Sequence, residues 1–590
     1  MSWIISGNHI AVREGDTVGH LDAINVYDAL HNGNIVFCGK DQGSPESAFP
    51  SMDFSPLSRS AVIVLSSDGP DIFLSVETDG IFVDFVQGQL VDQITDGTSW
   101  HYIDNADNIR EILSEAKASA GKITASSYLA VLKNGFDTGL VENRVDPETL
   151  KRATVYHQPY GLNATLFPYQ KTGVAWTDSM LDSVHGCILG DEMGLGKTLQ
   201  AIVLIRKRSN ERKKTLVIAP VSLLENWKEE CEKFTPSLRV LVHHGPRRTG
   251  SPTGFDGFDA VVTSYGLART DNILFCLKKW DLLVLDEAQN IKNPQSNRAK
   301  AVKEIPTACR LAITGTPFEN HMTDVWSITD FVLPGYLGSE SAFKSRVSDD
   351  INGAMLIEPV LSSVMIRRLV QDVGSDLPDK VDIPRPLTMS EAEASAYEDE
   401  RIALLSKGKT QLPAIQKLRM YCTHPRIYND SISGDPAKLS VKYQHTCEIL
   451  EEIFARHEKV LLFTSYKKMF KILMRDIPLR FGVPADCING TTPVPDRQKK
   501  VKEFNNREGS ALLALNPRAA GTGLNITAAN HVIHYNPEWN PAVEDQASAR
   551  AYRRGQTKTT FIYHLYYRGT VEEGEFSFQV QDPRRSCGVL

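Results

Sequence analysis

Residues 187–206 read CILGDEMGLGKTLQAIVLIR, an apolar run, a glycine loop, Lys-Thr and a second apolar run long enough for a helix. No other stretch restricts the possible folds as much. A strand that passes through such a loop into a helix brings backbone N–H groups and the positive end of the helix dipole to one point, which is how phosphates are cradled. Gly194 and Gly196 let the backbone approach the phosphates. Lys197 neutralises the β and γ phosphates, and Thr198 is the expected Mg2+ ligand. Met193, Leu195 and Leu199 complete the loop and the start of its helix. Asp191 stands where the general pattern G-x-x-x-x-G-K-[ST] has its first glycine.

About ninety residues on, 281–289 reads DLLVLDEAQ, an apolar run that delivers two carboxylates at its carboxyl end, where open α/β sheets bind ligands. Asp286 is placed to hold the Mg2+ and Glu287 to orient and deprotonate an attacking water. Isolated acidic pairs at strand ends are often structural; the phosphate loop upstream gives this one its meaning. Near the end, 546–556 reads QASARAYRRGQ, expected as a helix with Arg550 and Arg553 on one face. In isolation that is a solvated basic helix. In a chain with a phosphate loop on another lobe, the two are candidate arginine fingers, each worth on the order of 10³–10⁵ in phosphoryl-transfer rate.

Buried strands alternating with helices are expected at 187–189, 215–219, 260–263, 282–285 and 312–314, and again at 460–463, 511–515, 531–535 and 561–565. This rhythm predicts an α/β fold with two tandem lobes, at 160–330 and 446–575, joined by a helical region over 331–445. A short tail, 576–590, follows. Before them, 1–150 carries alternating runs such as SAVIVLS at 60–66 and DIFLSVETDGIFVDFVQ at 71–87, with helices expected at 108–120 and 124–134. It is an α+β domain of recognition or regulation whose ligand the residues do not name.

The net charge of -7 does not suggest a nucleic-acid partner, but it is unevenly shared. Residues 1–150 hold 22 acidic and 8 basic side chains, and the remainder 50 acidic and 57 basic. The lobes are thus net basic and the first domain strongly acidic. Nine cysteines with no C-x-x-C pair point to a reducing compartment. No apolar run approaches a bilayer span and no signal peptide opens the chain, so a soluble cytoplasmic protein with no membrane partner is expected, nuclear if eukaryotic. The terminal Cys587-Gly588-Val589-Leu590 formally matches a prenylation box and is read as coincidence. The basic run RKRSNERKK at 206–214 is expected as a solvated loop after the first helix. Trp326, Trp539 and the pair His243-His244 are expected as packing or surface residues rather than base-stacking or metal sites.

Together these motifs resemble the Snf2 family of helicase superfamily 2 ATPases, over roughly residues 160–575. LFPYQKTGVAW at 166–176 resembles the Q-motif and implies that Gln170 meets the adenine. GDEMGLGKT is the family's form of motif I, including Asp191 at the missing glycine. LVIAPVSLLENW (216–227), VTSYG (262–266), DEAQ (286–289) and LAITGTPFEN (311–320) resemble motifs Ia, the next DNA-side motif, II and III. Thr314, Gly315 and Thr316 are thereby implied to couple hydrolysis to lobe movement. MIRR (365–368), LPDK (377–380) and LRMYCTHP (418–425) resemble connecting segments peculiar to the family. VLLFTSY (460–466), INGT with Arg497, AAGTGLNITAAN (519–530) and YNPEWNP (535–541) resemble motifs IV to V and the approach to motif VI. Gly523 is implied at the nucleotide and Gln556 in coupling. Ala549 and Tyr552 stand where the family commonly has Asp and His, and the usual closing helix is replaced by GEFSFQVQDPRRSCGVL.

The resemblance implies two RecA-like lobes and a DNA-stimulated ATPase using ATP and Mg2+ that translocates on double-stranded DNA. Grip should be on the phosphate backbone, through hydroxyls such as Ser222, Thr263, Thr464 and Thr522, and should weaken with salt. A strand-separating helicase and a DNA-binding scaffold with weak ATPase are the alternatives. The absence of large insertions suggests a prokaryotic or phage protein that displaces bound proteins or serves anti-phage defence. The acidic domain is expected to bind a protein partner or to mask the DNA cleft.

Overall fold

The computed structural model describes residues 2–37, 40–54, 58–135, 138–146, 149, 154–316, 321–373, 378–406, 411–429, 431–520 and 524–574. Two parallel sheets carry the architecture. In the first lobe the strands run in the order Val240–Val242, Ala260–Ser264, Thr215–Ala219, Trp280–Asp286, Thr307–Ile313, Gly186–Leu189, Met365–Ile366. In the second the order is Lys380–Leu387, Thr560–Tyr567, His531–His534, Lys459–Phe463, Ala511–Leu515, Ala485–Ile488. Every pairing within both sheets is parallel. Central strands such as Thr215–Ala219 and Ala511–Leu515 are buried at every residue, because helices cover both faces. Along Lys459–Phe463, Val460 and Leu462 face one core, Leu461 and Phe463 the other.

The region 331–445, expected as helical, also supplies a strand to each sheet. Met365–Ile366 pairs with Gly186–Leu189, and Lys380–Leu387 forms the opposite sheet's edge, where its Pro384 and Pro386 are tolerated. Two other expectations change. The helix after the phosphate loop runs over Lys197–Asn210, so the basic run begins inside it. Arg206 and Arg208 are buried there, Arg206 donating from Nε to the carbonyl of Tyr160 at 2.9 Å and Arg208 from Nη2 to Asp182 at 2.9 Å. Their charges brace the fold rather than the surface. The helix expected to carry Arg550 and Arg553 ends earlier, as Pro541–Ser548, and both arginines lie in the turn beyond it. Gln556 shapes that turn by donating from Nε2 to the carbonyls of Thr527, Ala529 and Ala551.

The acidic region is α+β, with Val62–Asp68 and Asp71–Thr78 antiparallel and helices at Ala106–Glu115 and Ala125–Gly135. It has two cores. Trp3, Ile10, Val12, Val26, Phe54 and Trp100 form a small separate one, whereas Ala61, Ile63, Leu65, Leu74, Ile109 and Leu129 share a continuous core with the first lobe. The junction is polar as well as apolar. The Tyr128 hydroxyl meets Ser363 Oγ at 2.7 Å, and Asn143 donates to the carbonyl of Pro359 at 3.4 Å. Ser363 lies just before the strand Met365–Ile366, at the amino end of strands whose carboxyl ends carry the glycine loop. These contacts give no support to the acidic region's masking the cleft. No helix among the described residues is long and apolar enough to cross a membrane.

Candidate functional site: a nucleotide cleft between two lobes

The glycine loop leaves the strand Gly186–Leu189 and enters the helix Lys197–Asn210 through Gly196, its N-cap. Gly194 and Gly196 have φ of 91° and 75°, a backbone that L side chains rarely adopt. A Cβ on Gly196 would also come within 2.5 Å of Gln170 Nε2. Gln170, expected on the adenine, is buried against the loop: its Nε2 donates to the carbonyl of Leu195 at 3.1 Å and its Oε1 accepts from the N–H of Phe167 at 3.1 Å. The Tyr169 hydroxyl donates to the same Leu195 carbonyl at 2.8 Å. Lys197 donates from Nζ to the carbonyl of Asp191 at 2.7 Å. Burial pulls its pKa down, while the carboxylates of Glu287, Asp191, Asp286 and Glu192 act the other way. Thr198 and Leu199 follow in the first helical turn, half-buried, and Met193 packs where a Cβ on Gly315 would come within 2.8 Å of its Cγ.

Asp286 ends the strand Trp280–Asp286 and is buried. Its Oδ2 accepts from Trp227 Nε1 at 2.7 Å and its Oδ1 from the N–H of Glu287 at 3.0 Å. Burial, then the adjacent Glu287 charge, pushes the Asp286 carboxyl up to about 7. Crowded carboxylates in a desolvated site, with a threonine hydroxyl at the head of the facing helix, are a hard oxygen donor set of the kind that suits Mg2+. Glu287 has φ of 51°, left-handed for a residue with a side chain, which costs roughly 1–3 kcal/mol and turns the chain sharply after the strand. It is linked onward. Gln289 Nε2 donates to Glu287 Oε2 at 2.8 Å, and Thr314 Oγ1 donates to Gln289 Oε1 at 3.0 Å, so the acid pair and Thr314 belong to one hydrogen-bonded chain. Thr316 closes it, its N–H donating to Thr314 Oγ1 at 3.1 Å.

The second lobe meets this loop through residues 550–554. Arg550 is buried and its Nε makes no hydrogen bond among the described residues. Burial, with Arg553 beside it, pulls its pKa down to about 10, against the Glu287 carboxylate. Arg553 sits over the glycine loop, a Cβ on Gly194 lying 3.4 Å from its own Cβ, and burial pulls its pKa down against the opposing Glu230 carboxylate. Tyr552 packs on the cluster of Tyr169, Leu195 and Val370, which gives that departure from the family pattern an apolar role across the cleft. Arg554, which the motifs did not single out, has its guanidinium 3.4 Å from the centroid of the Phe167 ring and 4.7 Å from that of Tyr169. Only the run of three cations in 550–554 pointed to it.

Two of the expected DNA-contacting hydroxyls are engaged inside the protein. Thr263 is wholly buried and donates to the carbonyl of His243 at 3.1 Å; Thr464 is buried and donates to Asn536 Oδ1 at 2.9 Å. Both stand where a strand's last residues turn inward, so neither offers its hydroxyl to a phosphate in this conformation. Ser222 is half-exposed in the turn Val221–Leu223. Thr522 and Gly523, with 317–320 of the motif around Thr316 and the tail from 575 onward, lie outside the described residues. Gln556 faces its own lobe, bonded to the three carbonyls named above. His243 is a packing residue, buried between Phe255 and Phe275 with Nε2 2.9 Å from Asp271. Trp326 is buried, whereas Trp539 is half-exposed under the guanidinium of Arg419. Among the described residues no group of three or more His, Cys, Asp or Glu side chains is placed to hold a metal ion.

Residues 169–427 match the SNF2-related domain and 442–555 the helicase conserved C-terminal domain. YwqA of Bacillus subtilis, which carries the name of an ATP-dependent helicase/translocase, is 37% identical over 436 residues, 69% of this chain and 47% of its own length. Zorya protein ZorD of Escherichia coli is 30% identical over 509 residues, 76% of this chain and 47% of its own. The chain thus spans less than half the length of these relatives. The Sulfolobus solfataricus SWI2/SNF2 ATPase core, solved in complex with dsDNA, is 33% identical, covering 73% of this chain and 96% of that one with a TM-score of 0.39. With an SNF2-related domain followed by a helicase C-terminal domain, and with relatives at these identities, the chain belongs to the Snf2 family.

Proposed function

We propose that the protein is a DNA-stimulated ATPase that moves along double-stranded DNA without separating its strands. The observation that supports this most is the division of one site between two lobes: Lys197, Thr198 and Asp286 on one side, Arg550 and Arg553 on the other, with Glu287 between them. The glycine loop and Lys197 bind the triphosphate, Lys197 exchanging the carbonyl of Asp191 for phosphate oxygens. Thr198 and Asp286 would hold Mg2+, which when bound supplies charge neutralisation at the transferred phosphoryl group. Glu287 takes the proton of the attacking water. Arg550 and Arg553 stabilise the charge that develops on the phosphoryl oxygens, and lobe closure brings them in.

Because the site is complete only when the lobes meet, each turnover is tied to a relative movement of the lobes, and that movement is the motor stroke. The chain from Glu287 through Gln289 to Thr314 is the route by which hydrolysis reaches the rest of the first lobe. Grip on the phosphate backbone, with Ser222 as a contributor, makes translocation independent of sequence and sensitive to salt. Displacement of bound proteins is the work such a motor performs, and the acidic region is its site for a protein partner.

The test is ATP turnover with long duplex DNA, without DNA, and with a Glu287→Gln variant, beside triplex-displacement and strand-unwinding assays. Duplex-dependent turnover, triplex displacement and no unwinding are expected. Turnover absent from the wild type, or equal in Glu287→Gln, overturns the reading; unwinding in place of displacement makes the protein a strand-separating helicase.

A further inference from the structure

The segment that leaves the first lobe is bound to the glycine loop residue by residue. The N–H of Gly190 donates to the carbonyl of Ile366 at 2.8 Å, that of Glu192 to the carbonyl of Arg368 at 2.9 Å, and that of Val370 to Glu192 Oε2 at 2.6 Å. Beyond it the chain crosses to Lys380–Leu387, the edge strand of the second lobe. Asp191, the residue in place of the missing glycine, is wholly buried, and Arg368 takes both its oxygens, Nε at 2.8 Å and Nη2 at 2.5 Å. The same guanidinium donates to Gln200 Oε1 at 3.0 Å and, from Nη1, to the carbonyl of Tyr169, and lies over the Tyr169 ring. Gln200 Nε2 donates to Asp191 Oδ2 at 2.9 Å, which completes the ring of bonds.

The helix Pro168–Ser183 makes room for this fork. Gly173 lies in its interior, where glycine is roughly 1 kcal/mol less favourable than alanine. A Cβ there would collide with Gln200 Oε1 and with both terminal nitrogens of Arg368. Three separate segments, around 173, 191–200 and 368, are therefore shaped about one side chain. Asp191 in turn presents its carbonyl to Lys197 Nζ, so the position of the fork sets the depth at which the loop holds the lysine.

We propose that Arg368 is a positioning residue of the ATP site, which holds Asp191 and the glycine loop at binding depth and links that loop to the segment leading into the second lobe. The proposal rests on the ATPase reading above. Rotation of the second lobe pulls on 366–370, and the loop follows because its N–H groups and Asp191 are bonded to that segment. DNA that changes the lobe angle thereby changes affinity for ATP.

Three variants test it in the full chain. Arg368→Lys keeps the charge and loses the fork; Gly173→Ala fills the space the fork needs; Asp191→Asn with Arg368→Gln removes both charges together and leaves no lone buried ion. Each is measured for melting temperature, for KM and kcat of ATP turnover, and for the stimulation by duplex DNA. The expected result is a rise in KM of about tenfold or more with a smaller change in kcat, and a reduced effect of DNA on KM, in variants that melt near the wild type. A structural role alone would lower the melting temperature and leave KM and its response to DNA where they were. If wild type turns over ATP and Glu287→Gln does not, while the folded variants keep KM within about twofold, the positioning role is overturned and the ATPase reading stands. If the wild type turns over no ATP with duplex DNA, the ATPase reading itself fails.

Discussion

Replacing Thr314 by valine keeps the shape of a wholly buried side chain and removes one hydroxyl. Two hydrogen bonds go with it, the one to Gln289 Oε1 at 3.0 Å and the one accepted from the N–H of Thr316 at 3.1 Å. A buried partner left unmade costs about 1–3 kcal/mol, so the pair comes to about 2–6 kcal/mol in total. Part of this appears as lost stability. The rest falls on catalysis, because Gln289 is the group that holds Glu287 Oε2, and a freed amide no longer fixes the carboxylate. If about half the cost falls on the transition state, kcat drops by about 5- to 150-fold, since roughly 1.4 kcal/mol is a factor of ten. KM for ATP stays near the wild-type value, because neither bond touches the glycine loop. Steady-state ATPase assays with saturating duplex DNA measure both constants, and thermal melting measures the stability share. A variant that melts lower but keeps kcat within about twofold refutes the claim that Thr314 acts on Glu287 through Gln289.

Gly196→Ala places a side chain at φ of 75° and within 2.5 Å of Gln170 Nε2, so KM for ATP should rise by about tenfold or more while the fold survives; nucleotide titration by fluorescence checks it. Tyr128→Phe removes a buried hydroxyl that meets Ser363 and Asn143, and should lower the stability of the acidic region's junction by about 1–3 kcal/mol without changing KM, seen as earlier proteolysis between the acidic region and the first lobe. His564 gives a pH dependence. Burial lowers its pKa, but the hydrogen bonds to Asp382 and Glu544 outweigh this and hold it up at about 9, against an ordinary value of 6.5. Its stabilisation is therefore complete below pH 6.5 and is lost as pH rises through about 9. Denaturant unfolding of the wild type should weaken across that interval, and His564→Gln should flatten the dependence.

Much of the nucleotide site was legible because its demands are local. A glycine loop between an apolar strand and a helix, and two acids at a strand's end, are each written within a dozen residues, and the backbone geometry they need follows from residue type. Wholly apolar strand runs likewise announce a sheet covered on both faces. Residues 365–366 and 380–387 could not be read as strands in this way. The first is too short to show a period, and the second alternates prolines and charges because it is an edge. Arg206 and Arg208 looked like solvated charges because a run of cations carries no sign of the partners, Tyr160 and Asp182, that bury them. The internal partners of Thr263 and Thr464, His243 and Asn536, were hidden from the sequence for the complementary reason. Hydroxyls near strand ends can turn to a ligand or to a neighbouring carbonyl or amide, and only the packed neighbours decide which.

Sequence by itself determined the chemistry available to this protein: a phosphate loop, an acid pair and late arginines, in an order and spacing that two parallel α/β lobes satisfy. Tertiary structure decided which of those groups act on one another. Glu287 is tied to Thr314 through Gln289, Asp191 is gripped by Arg368, and Tyr552 and Arg554 lie on the aromatic ledge of Tyr169 and Phe167. The reason is physical. Residue type and local spacing govern backbone conformation and burial, whereas the partner of a buried charge or hydroxyl is set by which distant segment is packed against it.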